Sequence, residues 1–182
     1  MLFMRRFSGV AGVLLVACGL LSACYMGPDP IQYGALAVVD GKATAVVANC
    51  GKESFRVSVY RDGGPMNEFY SWYVKVTPAS PAREVEVELF GKERPGWEID
   101  NDERVIVTST GTHKYVQIKA LDPAYVYVLS SAESGPEGAM APAVRFTADD
   151  LASIGPGQVM VPVDHKHSKI VPRESFVTGR CG

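Results

Sequence analysis

Along most of the chain, apolar and polar positions alternate with period two. Phe55, Val57 and Val59 fall on one side of a segment whose other side carries Arg56, Ser58 and Tyr60. Val85, Val87 and Leu89 alternate in the same way with Glu84, Glu86 and Glu88. Such segments predict half-buried strands of an antiparallel sheet with one wet face. Leu36–Val39 and Thr44–Val47 flank Asp40-Gly41, a dipeptide that tolerates positive φ and so predicts a tight hairpin. Phe69–Val76 is aromatic and β-branched, with Tyr70, Trp72, Val74 and Val76 sharing a face. Val105–Val107 and Tyr115–Ile118 bracket a turn at Thr110-Gly111, and Tyr125–Leu129 reads as a further strand. Residues 131–143, rich in Ser, Gly, Pro and Ala, read as a loop, and Val159–Val161 as the last strand.

One helix signal interrupts this pattern. Thr147 can cap a first turn containing Asp149 and Asp150, and Gly155-Pro156-Gly157 stops it. Residues 164–182 read as a polar tail pinned only by Cys181. The expected fold is therefore all-β: an antiparallel β-sandwich with one short helix near residues 147–154. A partly open β-barrel is the alternative.

The N-terminus breaks the alternation. Arg5 and Arg6 precede an apolar run from Val10 to Leu21. At roughly 12 residues that run is shorter than the about 20 a spanning helix needs. It ends in Leu21-Ser22-Ala23-Cys24. The segment resembles a bacterial lipoprotein signal peptide closed by a lipobox. The resemblance implies that Cys24 is diacylglycerylated, that the chain is cut before it, and that two or three acyl chains then hold the protein on a membrane. More than one chain is what stable anchoring requires. The expected organisation is a signal peptide at 1–23, a tether at 24–34 with Pro28 and Pro30, and a single domain at 35–182. An uncleaved single-span anchor and a plain secreted protein are the alternatives. The segments around Cys50-Gly51 and Phe146-Thr147 through Asp150-Leu151 also resemble small β-rich lipoproteins of actinomycete-type bacteria, a likeness that implies no activity.

Composition narrows the function classes. Without the signal the chain carries 16 basic and 20 acidic side chains, unclustered by sign. Nucleic-acid binding needs a basic footprint, so no nucleic-acid partner is expected. With Cys24 lipidated, Cys50 and Cys181 remain, the right parity for one disulfide in an exported protein. A bridge between them would close a loop of about 131 residues, worth roughly 4–5 kcal/mol in the chain-entropy account.

Candidate chemistry is sparse. His165 and His167 would lie about 6–7 Å apart on one side of an extended segment, but a metal needs a third ligand. Glu98, Asp100, Asp102 and Glu103 offer oxygen ligands without the glycine and closing glutamate of an EF-hand loop. No nucleophile elbow, His-Glu-x-x-His or phosphate-binding glycine loop occurs. Catalysis is thus not expected, although a hydrolase built around His113 remains a reading to test, and nothing calls for a cofactor. Exposed aromatics are the remaining candidates. Phe69 and Tyr73 lie opposite the core face of their strand, and Tyr125 and Tyr127 share a face of theirs, forming a candidate surface for an envelope protein or a glycan. The expected role is a lipid-anchored extracytoplasmic domain that binds or supports in the cell envelope. A small envelope hydrolase, or a metal-handling lipoprotein using His165 and His167, is the alternative.

Overall fold

The computed structural model describes residues 33–180, apart from 52, 66, 81, 101–102, 110 and 134–142. The segment expected as a signal peptide, Cys24 and Cys181 lie outside the described residues, as does the expected tether up to residue 32.

The chain folds as two packed sheets. β1 (Gly34–Val39) and β2 (Lys42–Ala48) form the expected hairpin, with Asp40 and Gly41 at φ 50° and 74°. β2 also pairs with β5 (Glu84–Glu88), and β1 with β11 (Gln158–Pro162), which pairs with β12 (Ser168–Pro172). The order in this five-stranded sheet is β12-β11-β1-β2-β5. The second sheet runs β10 (Val144–Phe146), β9 (Val126–Glu133), β3 (Phe55–Asp62), β4 (Glu68–Val76), β8 (Gly111–Gln117), β7 (Arg104–Thr108), with β6 (Trp97–Asp100) also on β4. The arrangement is the expected all-β sandwich, and the two sheets do not join into a barrel. The pairing departs from the expectation at one place: β4 and β8 are parallel.

The core sits between the sheets. Leu36, Val47 and Val87 of one sheet meet Val57, Val59, Trp72, Val74 and Leu129 of the other, all essentially buried. β3 buries Phe55, Val57 and Val59 and exposes Arg56 and Tyr60, as its alternation predicts. Trp72 is the largest fully buried side chain and meets Phe90 edge-on at 5.6 Å.

A second apolar layer corrects the reading of the tail. Residues 168–172 form β12, so Val159–Val161 is not the last strand, and α1 (Arg173–Arg180) follows as the one α-helix of the described residues. Phe176 is buried over the outer face of the smaller sheet, among Ala35, Ala37, Val46, Ala48, Val159 and Val161. Small side chains on that face let the helix approach closely. They also explain why β1 is apolar on both sides rather than alternating. Arg173 fixes the helix start, with Nη2 2.8 Å from Glu84 Oε1 and 2.6 Å from Glu86 Oε1. These bonds raise the Arg173 pKa and occupy two of the three glutamates on the wet face of β5. The third, Glu88, pairs with Lys42 and Arg94.

The helix expected near 147–154 is a short 3₁₀ turn, Asp149–Ser153. Its start is capped reciprocally: Thr147 N donates to Asp150 Oδ2 at 2.7 Å, and Asp150 N donates to Thr147 Oγ1 at 3.2 Å. Gly157 at φ 71° turns the chain into β11. The loop expected at 131–143 begins later, since β9 extends to Glu133.

Trp72→Ala would remove the largest side chain of this core. Urea unfolding should show a loss of about 3–5 kcal/mol, and a loss below 1 kcal/mol would contradict the packing described.

Candidate binding face

The larger sheet forks at β4. The first half of β4 pairs with β8, Tyr70 opposite Val116 and Ser71 opposite Gln117. The second half pairs on the same edge with β6, Tyr73 opposite Asp100 and Val76 opposite Trp97. Trp72 marks the handover. Ile118 N donates to Ser71 O at 2.9 Å to close one ladder, and Thr77 N donates to Gly96 O at 2.8 Å to close the other. Gly96 has φ 82°, and a Cβ there would sit 2.5 Å from the Thr77 carbonyl oxygen, so only glycine fits. β6 and β7 run in the same direction, with β8 wedged between β7 and β4.

A cleft of about 550 Å³ opens on the outer face where the strands part, lined by Arg56, Tyr73, Lys75, Glu98, Asp100, Arg104 and Tyr115 among others. A much smaller neighbour reaches Ser71 and Gln117. A third hollow, of about 440 Å³, continues past Phe69 to Tyr60, Arg61 and the Gly63-Gly64-Pro65 loop. Tyr73 and Tyr115 line all three. The hollows thus form one groove across the sheet face.

Aromatic contacts hold its walls. Phe69, 44% exposed, stacks on Tyr115 with ring centroids 5.3 Å apart and packs against His113 at 5.4 Å. The Arg104 guanidinium lies 5.5 Å from the Tyr115 centroid. At the groove's far end Arg61 is sandwiched between Tyr70 at 3.4 Å and Tyr125 at 4.2 Å. Tyr70 donates to Glu68 at 2.5 Å, and that bond raises its pKa.

Charge is distributed unevenly. Lys75 pairs with Glu98 at 3.3 Å, and Arg104 approaches Asp100 at 4.0 Å. Arg56 is exposed and has no ion-pair partner among the described residues.

The sequence candidates separate accordingly. Phe69 and Tyr73 both line the groove, and Tyr125 reaches its end through Arg61. Tyr127 does not belong to a surface. It is 2% exposed, packs on Phe146 at 5.8 Å, and its hydroxyl accepts from Asp122 N at 2.8 Å. β9 begins only at Val126, so Tyr125 precedes the strand, while Tyr127 and Leu129 alternate into the core. A tyrosine bonded to backbone a few residues upstream is a corner clamp of β-sandwiches. Glu98 and Asp100 stand on β6 rather than in a turn, and Asp102 lies outside the described residues. Tyr115, Arg104 and Tyr60 are contributors that sequence reasoning passed over. The alternation of His113, Tyr115 and Gln117 was a signal for Tyr115, but nothing local pairs β8 with β4.

The other candidate chemistry takes different forms. His165 and His167 stand in the exposed turn between β11 and β12. Asp164 organises it: its Oδ1 accepts from Lys166 N at 2.7 Å and His167 N at 2.8 Å, and His167 Nδ1 lies 2.8 Å from Oδ2. Among the described residues, no three His, Cys, Asp or Glu side chains gather as a metal site. His113 is set against Phe69, and its Nδ1 has no hydrogen-bond partner among the described residues. A hydrolytic site would need an acid beside it. Cys50 is half-buried at the end of β2, its Sγ 3.4 Å from the carbonyl oxygen of Arg180, the residue before Cys181.

No family model, curated protein or solved structure matches the chain.

The His167 contact and two amides hold the Asp164 pKa at about 2, against an ordinary 3.8. A lowered carboxyl pKa stabilises the turn above the ordinary value, and that contribution is lost as pH falls through about 2. In a carboxyl NMR titration, His167→Ala should move the Asp164 midpoint up from about 2, stopping short of 3.8 because the Lys166 and His167 amides still donate. An unchanged midpoint would refute the contact.

Proposed function

We propose that the protein is a lipid-anchored, extracytoplasmic binding module of a bacterial cell envelope, tethered through Cys24 and presenting the forked sheet face to its ligand. The observation that carries the binding role is the groove. Outward-facing Phe69, Tyr73 and Tyr115 lie in one continuous hollow with charged side chains at its rim. Outward aromatic rings that are not needed for the core are a recognition feature.

The anchoring reading rests on Leu21-Ser22-Ala23-Cys24, and the topology sets where a tether would join the domain. Gly34 pairs with Val47, next to the connection from Ala48 to Phe55, so these residues share one end of the sandwich. β3 runs from Phe55 to Asp62, which carries Gly63–Pro65 and Phe69 to the opposite end. A tether entering at Gly34 would therefore leave the Gly63–Phe69 end of the groove remote from the membrane and its Arg56–Lys75 end nearer the tether.

The reading includes a bridge between Cys50 and Cys181. It is supported by the contact of the Cys50 sulfur with the carbonyl oxygen of Arg180, the residue before Cys181, and by the exported setting. The bridge would lock α1 against β2 and keep Phe176 over the alanine-lined face.

The anchor is tested by intact mass and fractionation of the protein from its native envelope, beside Cys24→Ala. The expected result is a membrane-bound species that begins at an acylated Cys24, with the variant shifted to precursor or soluble fractions. Equal release of both forms, or an intact N-terminus on both, would overturn the lipobox reading.

A further inference from the structure

We propose that the groove binds a carboxylate-bearing polysaccharide, with sugar rings laid on Tyr73 and Tyr115 and a ligand carboxylate at Arg56; this rests on the binding-module reading above. Three features favour a sugar acid over a polypeptide. First, β4, which floors the cleft, is already paired on both edges, to β3 on one side and to β6 and β8 on the other, so it offers no edge for a peptide to extend. Second, five of the residues around the cleft are charged: Arg56, Lys75, Arg104, Glu98 and Asp100. The centres of protein–protein interfaces are depleted of charge. Planar guanidinium and carboxylate forks beside tyrosine faces suit the other chemistry. Vicinal hydroxyls accept and donate in pairs to such forks, while the C–H faces of a pyranose pack on the rings. Third, three cations face two carboxylates, and both carboxylates are engaged by Lys75 and Arg104. Arg56 is left as the cation without an ionic partner among the described residues. An anionic ligand completes that balance.

The groove also has the length for a chain rather than a monosaccharide. Phe69 and Tyr73 are four residues apart on β4, which separates their positions by about 13 Å. Tyr115 lies opposite Phe69, so the stacking positions extend along the strand past a single ring.

The test is calorimetric titration of the detergent-purified protein with α-1,4-linked hexagalacturonate and, in parallel, with maltohexaose, a neutral hexasaccharide. The expected result is binding of the uronate alone, weakening as salt screens the charge. Arg56 is exposed and unpaired, so Arg56→Gln should leave the fold intact and weaken binding about tenfold, the loss of one charge-assisted contact. Tyr115→Ala should weaken it comparably, with thermal unfolding recorded to confirm that the variant folds. Equal binding of both hexasaccharides, or indifference to Arg56→Gln, would overturn the acid assignment. Failure of both sugars to bind would overturn the glycan, and envelope proteins retained by the same preparation would then mark the groove as a protein site. The anchor stands apart from these outcomes: a soluble Cys24→Ala protein that still binds hexagalacturonate would leave the ligand assignment in place.

Discussion

One edge of β4 serves two strands, and the rest of the larger sheet is arranged around that constraint. A buried strand cannot leave its amides and carbonyls unpaired. β8 satisfies the edge from Glu68 to Ser71, β6 satisfies it from Tyr73 to Val76, and the exchange takes place at Trp72. Two strands cannot occupy one line without parting, so the sheet splays at the handover and a cleft opens above it. The same exchange sets the chemistry of the walls. β6 contributes Glu98 and Asp100, β7 contributes Arg104, β8 contributes Tyr115, and β3 and β4 contribute Arg56, Tyr73 and Lys75. Trp72 anchors the fork from below, its indole buried between the sheets while Ser71 and Tyr73 point the other way.

The opposite side of the molecule is closed where this side is open. The smaller sheet has an outer face of alanine and valine, which α1 covers with Phe176. Glu84 and Glu86 hold the first residue of that helix through Arg173, and Cys50 lies beside its last. A face sealed by a short helix and tied at both ends is not available to a ligand. Among the described residues, no such cover lies over Phe69, Tyr73 and Tyr115 on the larger sheet. Among the described residues the overhang of β7 and β8 is also uncovered, with Val105 and Val107 61% and 77% exposed.

How much of this could be read from the chain depends on the range of the interaction responsible. Local rules were enough for the Asp40-Gly41 hairpin, whose turn conformation is a property of two residues. They were enough for β3 and β5, where alternation alone assigns faces. They also placed Phe69 and Tyr73 outward, because Trp72 and Val74 fix the opposite face. Tyr127 went astray because its strand starts one residue later than the apolar run suggests and because its hydroxyl finds a backbone partner inside the fold. The tail was misjudged for a different reason: a single phenylalanine suffices for a helix when the sheet beneath it supplies alanines, and that complementarity joins residues more than a hundred positions apart. The fork itself left no local trace. A parallel partner for β4 requires the chain to travel through β5, β6 and β7 before β8 returns, and no period or turn motif records such a pairing.

The account depends on β4 sharing its edge, and nuclear Overhauser spectroscopy of the detergent-purified protein measures this directly. It predicts, in one sample, backbone contacts linking Tyr73 with Asp100 and Tyr70 with Val116, the second set in the pattern of parallel strands. If only one of the two partners contacts β4, or if β8 runs antiparallel to it, the cleft has no structural basis and the functional reading built on it falls.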